Sequence, residues 1–566
     1  MEVLDSRRLT GPGLVWDRPA AVLDVRLSPD EAEQLIPAWQ ETVREIMDRL
    51  GLQSESIKVR RFADGASLAI SAPIDTLYTA TDINDWAWAA ITGKTADDET
   101  PETLAQAETR LAKALAGEKN PQLIKLVVEA EKRGLPWLAD DEELTLGLGV
   151  NGQTWPVDQL PEIAAVEWSR LGRIPLGLVT GTNGKTTSVR FLTRMARAAG
   201  QTVGVSSTDW IAVNDEILDR GDWSGPGGAR NVLRDQRVDM GILETARGGL
   251  LRRGLGVASA DAVLITNIAE DHLGEFGVMH LEELTDVKWI VTSALGDSGT
   301  AVLNAEDDKL VKRGLAAHFP VTWFSLDPEL PLIQKAVSQN QTVVVLRGRN
   351  LNIIRKGKET TILEVGEIPL AMDGAARHNI ANALGAIGLA SALGLPRESI
   401  ADGLRKTRPE DNPGRCNLFS IDGADVLVDF AHNPHGIAAI FELARTRKAK
   451  RRLMLIGQAG DRSDQAIGEL AARAWNIGLD KVIIKEMAEY ARGRPTGEVA
   501  QLIKNSMLAC GAKEDQLAYF QTEPEAVSAA LDWARPGDLL ILFIHEQIDD
   551  VLAMLKEKKD GSAQST

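Results

Sequence analysis

The sequence predicts a multidomain α/β protein: a central P-loop domain on a parallel sheet, a C-terminal Rossmann-like α/β domain, and an N-terminal α+β domain. Three observations carry that expectation. The chain has 566 residues, too many for one hydrophobic core, so about three or four domains are expected. From residue 173 onward, short apolar strands alternate with helical stretches, the pattern of a parallel sheet with crossover helices. Between one such strand and its helix lies TGTNGKTT, residues 180–187, a glycine-rich turn suited to an anion.

Residues 1–165 read as the α+β domain. Residues 20–27 (AAVLDVRL) alternate as a strand does. Residues 28–50 read as a helix in which Ser28 caps an acidic first turn, a favourable arrangement at the positive end of the dipole. Residues 58–62 and 66–72 are expected as strands around an Asp64–Gly65 turn, and 101–132 as a charged helical stretch. No cluster here demands chemistry. Trp16, Trp86 and Trp88 have two readings, a binding surface or, as is commoner in a mixed domain, core.

Residues 166–412 are expected as the central domain. Segments 174–180, 240–243 and 262–268 read as buried strands, each followed by polar or glycine-rich residues, where open α/β sheets hold ligands. Residues 342–372 interrupt with a hairpin-like passage. The C-terminal domain, 413–555, has strands expected at 426–430, 453–456, 481–485 and 538–544. The turn-rich PEDNPGR, residues 409–415, marks the boundary, and the charged 556–566 is expected as a disordered tail.

Composition narrows the function classes. A net charge of -18 argues against non-specific nucleic-acid binding, which needs a basic surface to displace counterions. Two distant cysteines, Cys416 and Cys510, give neither a disulfide framework nor metal-ligand spacing, which fits a reducing cytoplasm. The N-terminus lacks a signal-peptide core, and no uninterrupted apolar run is long enough to span a bilayer. The expectation is a cytoplasmic enzyme without nucleic-acid or membrane partners; an oligomer is compatible with it.

In TGTNGKTT, Gly181 and Gly184 let the backbone approach phosphate oxygens, and the helix beyond presents free N–H groups. Lys185 would neutralise β- and γ-phosphate charge, and the Thr186 hydroxyl would hold Mg²⁺. Val179 stands where the general P-loop pattern has glycine.

This loop resembles that of the Mur-ligase superfamily of peptidoglycan and folylpolyglutamate ligases. Further similar motifs follow in order: LETAR at 243–247, TNIAEDHLG at 266–274, RHNIANA at 377–383, PGR at 413–415 and DFAHNP at 429–434. LETARGGLLRRGLG (243–256), SGPGGAR (224–230), GDR (460–462) and RGR (492–494) are similar to the Mur-like half of cyanophycin synthetase. RRLTGPG, residues 7–13, faintly resembles that synthetase's start. The synthetase has an ATP-grasp domain between these parts, for which this chain has no room; one of its two ligations stays open.

The resemblance implies an ATP-dependent ligase that activates a carboxylate as an acyl-phosphate for attack by an amino acid or amine. It implies nucleotide contacts from Thr182, Asn183, Gly184, Lys185, Thr186, Thr187, Asn267, Asn379, Arg415 and Asp429. Catalytic roles fall to Lys185, Glu244, His272, Arg415, Lys288 and His432, with His378 and Asn382 as further candidates. Thr186, Glu244 and His272 are the implied ligands of Mg²⁺ or Mn²⁺; without the motifs, Glu244 reads equally as a solvated loop residue. Lys288 has two readings, a carbamylated lysine that binds a second Mg²⁺ or a plain helix-surface lysine. Arg415 has two as well, a phosphate contact or a surface ion pair.

Arg230, Arg247, Arg252 and Arg253 could bind an acidic acceptor such as an aspartyl peptide, or form a solvated face. Asp461, Arg462, Glu486, Arg492 and Arg494 lie where the superfamily selects its amine, and the two acids are compatible with a cationic amino acid. Phe430 replaces the tyrosine usual in DFAHNP. A nucleotide-binding scaffold and a P-loop hydrolase or kinase are the rival classes. They leave the later motifs without a task.

Overall fold

The computed structural model describes residues 1–93, 100–271 and 273–564. Its described strands form four sheets. The N-terminal sheet is antiparallel, in the order Glu2–Leu9, Ala20–Arg26, Gly65–Ser71, Ile57–Phe62. The helix Pro29–Arg49 covers it with Ile36, Trp39, Val43 and Ile46, which recur at helical spacing. Ser28 and Glu31 form the expected cap: the Ser28 hydroxyl accepts from Glu31 N at 3.3 Å, and the Glu31 carboxylate accepts from Ser28 N at 2.8 Å. The expected charged stretch is two helices, Leu104–Glu118 and Pro121–Lys132, parted before Pro121.

The helix Leu77–Thr92 is absent from the sequence reading. It buries residues on several sides, including Trp86, Trp88 and Asn84, so no clean amphipathic stripe announces it. Trp86 and Trp88 are therefore core. Asn84 is buried because it is paired, accepting from Trp39 Nε1 at 2.9 Å and donating to Leu68 O at 2.9 Å.

The central sheet has 11 strands. Its parallel run is Val203–Ser206, Met240–Glu244, Leu176–Thr180, Ala260–Ile265, Leu295–Asn304, Val321–Ser325 and Val343–Arg347. Leu176–Thr180 and Met240–Glu244 are buried throughout, as strands covered on both faces must be. Lys185–Ala198 and Arg377–Ala392 cover one face through Phe191, Leu192, Leu384 and Ile387. The expected hairpin passage is the antiparallel edge, Asn350–Arg355 and Lys358–Glu364.

The C-terminal sheet runs Asn417–Ile421, Ala424–Asp429, Leu539–Phe543, Arg452–Ile456, Lys481–Lys485, Leu517–Phe520. Its two edge strands, Asn417–Ile421 and Leu517–Phe520, were not expected; half-exposed edges lack the apolar run of the inner strands. Helix Ile548–Gln564, anchored by buried Val551, Leu552 and Leu555, runs into the segment 556–566 that was expected as a disordered tail. Residues 565–566 lie outside the described residues. Among the described residues no helix is long and apolar enough to cross a membrane.

Candidate active site

Three neighbouring strands of the central sheet end at a cleft of about 1370 Å³, walled on the far side by the C-terminal sheet. After Leu176–Thr180 the chain turns through Gly181 (φ 142°) and Gly184 (φ 83°) into helix Lys185–Ala198. A Cβ on Gly181 would strike the Thr266 hydroxyl, and one on Gly184 the Asn382 carboxamide, so only glycine lets the loop lie this close. The loop is pinned from TNIAEDHLG. Asn183 N donates to Asn267 Oδ1 at 3.0 Å, Asn267 Nδ2 to Asn183 O at 3.0 Å, and Thr266 Oγ1 to Asn183 O at 2.6 Å. Thr182 Oγ1 donates to Ala269 O at 3.0 Å. Asn267 is thus committed to shaping the loop. Lys185 stands at the helix N-terminus, its Nζ 3.1 Å from Thr182 O.

Glu244 ends its strand 2 % exposed, which excludes the solvated-loop reading. Thr186 Oγ1 donates to its Oε2 at 2.9 Å, and Thr208 donates its hydroxyl to Oε1 at 2.7 Å and its N–H to Oε2 at 3.2 Å. These hard oxygens at the phosphate end suit Mg²⁺ or Mn²⁺. His272 lies outside the described residues. Among those described, no group of three His, Cys, Asp or Glu is gathered around a metal-sized space.

Lys288 corrects one of its two readings. It is buried, not on a helix surface, and donates to Gly181 O at 3.0 Å beneath the loop. Burial, and then the charge of Lys185, lower its pKa to about 7. Helix Leu281–Trp289 sends Leu284 and Val287 into the core, and Lys288, one position on, reaches the loop.

Arg415 is not a surface ion pair. Its Nη1 and Nη2 donate to Asp209 at 3.1 and 3.0 Å, Asp209 also accepts from Arg190 at 2.9 Å, and the guanidinium lies 5.3 Å from the Phe430 ring centroid. Burial pushes the Asp209 carboxyl up, but Arg415 and Arg190 outweigh it and hold the pKa below the usual range. Asp209 ties the central sheet to the domain boundary, and Thr208 serves Glu244. The boundary itself is packed: buried Asn412 donates to Thr187 Oγ1 at 3.1 Å.

From the C-terminal sheet, Asp429 accepts from Cys416 N at 2.8 Å and Ala431 N at 2.7 Å, and burial raises its pKa to about 6. His432 Nε2 lies 3.5 Å from Asp271, which also takes Arg462 at 3.2 Å. Buried Asn379 donates to Leu370 O at 2.9 Å and accepts from Asn382 at 3.3 Å. His378 sits 3.2 Å from Cys416 Sγ, and burial lowers its pKa to about 4. Sequence reasoning missed Asn433 and His435. Asn433 Nδ2 donates to Asn183 Oδ1 at 3.0 Å, and His435 Nδ1 lies 3.0 Å from Asn183 Nδ2, joining the phosphate loop to the C-terminal domain. DFAHNP was the signal; its Asn also caps helix Pro434–Thr446.

Three residues beyond Glu244, helix Arg247–Arg253 forms another wall of the same cleft. Arg247 pairs with Glu275 at 2.8 Å and Arg230 with Asp140 at 3.3 Å. Arg252 and Arg253 line the cleft and make no ion pair among the described residues. Asp461, Arg462 and Arg492 also line it. Glu486 and Arg494 do not. Glu486 accepts from Gly497 N at 2.6 Å and Tyr519 OH at 2.9 Å, while Arg494 donates to Gly460 O and Arg462 O, each at 2.8 Å.

Residues 179–390 match the Mur ligase middle domain, and 414–543 match the Mur ligase glutamate ligase domain. The cyanophycin synthetase of Synechocystis sp. is 36% identical over 392 residues, 68% of this chain and 44% of that relative. The chain therefore spans less than half that relative's length. The UDP-N-acetylmuramoyl-L-alanyl-D-glutamate–2,6-diaminopimelate ligase of Clostridium botulinum is 26% identical over 377 residues, 64% of this chain and 71% of the relative. Among solved structures, E. coli FolC in complex with ADP, without folate substrate, is 18% identical with a TM-score of 0.51. That match covers 68% of this chain and 90% of the other, and it is a likeness of fold.

Proposed function

The chain belongs to the Mur ligase superfamily, and we propose that it is an ATP-dependent carboxylate–amine ligase acting on an acidic acceptor such as an aspartyl peptide. One observation carries the reading. A glycine-built phosphate loop with the buried Thr186–Glu244 pair shares one cleft with the arginine helix and the C-terminal sheet.

In the proposed reaction an acceptor carboxylate oxygen attacks the γ-phosphorus of ATP, the bond to ADP breaks, and an acyl-phosphate forms. A neutral amine then attacks the acyl carbon; the C–O bond to phosphate breaks and the amine's proton leaves with the phosphate. Two anions must meet, so fixed positive charge is the main requirement. Lys185 and the helix N-terminus take the β- and γ-phosphates, Arg252 and Arg253 take the acceptor, and Arg415 turns from Asp209 to the transferring group as the domains close. Asp429 receives the ribose, with Thr182, Asn183, Gly184, Thr186, Thr187 and Asn379 around the nucleotide. His432, beside Asp271, stands on the amine side, where Asp461 suits a cationic amino acid.

Thr186 and Glu244, with His272, would hold Mg²⁺ or Mn²⁺, which would spread the charge of the triphosphate. Lys288, its pKa lowered to about 7, has a substantial neutral fraction at neutral pH; that amine would add CO₂ and lose a proton to become a carbamate, an anionic ligand for a second Mg²⁺.

The test is phosphate release from ATP across amino acids and acidic or aspartyl-peptide acceptors, with product masses and Lys185→Ala as control. Release that needs both partners, with a product one condensed residue heavier, supports ligation. Release indifferent to acceptors would turn the reading toward a hydrolase.

A further inference from the structure

The carbonyls in the last turn of a helix have no partner within it and need a cap. Helix Arg247–Arg253 takes its cap from residues about 240 positions upstream, in the RRLTGPG segment. Arg7, only 7 % exposed, donates Nε to Leu251 O at 2.9 Å. Its Nη1 is held by Asp24 at 2.7 Å and Asp5 at 2.8 Å, and its guanidinium lies 5.0 Å from the Phe276 ring centroid. Thr10 N and Thr10 Oγ1 donate to Arg253 O at 2.8 and 3.2 Å. Leu255 N returns a bond to Pro12 O at 2.6 Å. The fit leaves no room for a methyl: a Cβ on Gly11 would strike Leu255 O, and one on Gly254 (φ 79°) would strike Gly11 O.

This cap lies beside Arg252 and Arg253, two cleft-lining arginines that make no ion pair among the described residues. Leu250 and Leu251, buried at 1 % and 2 %, fix the opposite side of the same turn. The turn is therefore held from two sides, and one of them belongs to the N-terminal sheet. We propose that the N-terminal domain is a specificity element of the acceptor site. By capping the arginine helix it sets the position of Arg252 and Arg253, so Arg7, Thr10 and Gly11 are positioning residues for acceptor binding. This rests on the acidic-acceptor reading above. The phosphate loop is pinned by Thr266, Asn267 and Ala269 and owes nothing to this contact.

The test uses the full chain with Arg7→Lys, Gly11→Ala and the Arg252→Ala/Arg253→Ala pair. Binding of fluorescein-labelled oligo-aspartate and of ADP is measured, with amide hydrogen exchange over residues 250–255. Arg7→Lys and Gly11→Ala are expected to weaken oligo-aspartate about tenfold, leave ADP affinity unchanged, and speed exchange at 250–255. In the background lacking both arginines, Gly11→Ala is expected to add no further loss. Equal weakening of ADP, a further loss in that background, or unchanged exchange would overturn the proposal. A wild-type chain that ignores oligo-aspartate yet ligates another acceptor would overturn the acidic-acceptor reading, and the exchange result would still decide whether the N-terminal segment holds the arginine helix.

Discussion

The two ends of the cleft are built in opposite ways. At the phosphate end a single run, residues 180–187, supplies the turn, the lysine and the hydroxyl, and a neighbouring loop holds it. At the arginine end the helix Arg247–Arg253 is shaped by residues 244 positions away, as Arg7 and Leu251 are. An anion site made of backbone N–H groups is local by nature, because successive residues must turn together. A wall that recognises a variable substrate can be held from anywhere in the fold.

That contrast can be broken by mutation, and the largest effect should come from the local end. Lys185→Ala should lower turnover on the order of 10²–10³-fold while thermal unfolding stays near wild type, since among the described residues Nζ bonds only its own loop. A matching loss of stability would mean that the lysine is structural.

Next is Asp209→Asn, which leaves Arg190 and Arg415 without their shared carboxylate. It should cost about 3–5 kcal/mol in urea unfolding, as breaking a buried charge cluster does. A loss below about 1 kcal/mol would show that the cluster is solvated and opens freely.

Asp429 sharpens the comparison through pH. Its folded pKa is raised from 3.8 to about 6, so the protonated form is favoured in the fold. The contribution of Asp429 to stability, read as wild type minus Asp429→Asn, should therefore fall by roughly 3 kcal/mol as pH rises from about 4 to about 6, while His378, held near 4, contributes the opposite slope in both proteins. Nucleotide affinity should move the other way, rising through pH 6 as the carboxylate becomes available to ribose hydroxyls. Asp429→Asn should remove the rise in nucleotide affinity and leave stability rising with pH through the His378 contribution; an affinity rise that survives the substitution belongs to another group.

The smallest effect belongs to the arginine end. Arg252→Ala alone should raise the acceptor KM several-fold, about 1 kcal/mol, with kcat and ATP affinity unchanged. A fall in kcat of the same size would place Arg252 at the reacting atoms.

What the sequence made legible follows the same division. The phosphate loop, the parallel strands around it and the helix capped by Ser28 were readable because each is set by neighbours in the chain. Helix Leu77–Thr92 was not, since burial on several sides erases its stripe. Nor was Asp209, whose partners Arg190 and Arg415 come from another helix and from the domain boundary. The burial of Lys288 depends on which side of its helix the loop crosses, and spacing alone does not give that. The cap on the arginine helix was out of reach for the same reason, since RRLTGPG carried only a faint resemblance and no sign of its partner.

The central claim is a carboxylate activated by phosphoryl transfer, and isotope transfer tests it most directly. An accepted acceptor labelled with ¹⁸O in its carboxylate should pass one labelled oxygen to the released phosphate for every amide formed. Phosphate whose one oxygen not from ATP comes from solvent, with no label from the acceptor, would contradict the account and leave a nucleotide hydrolase in its place.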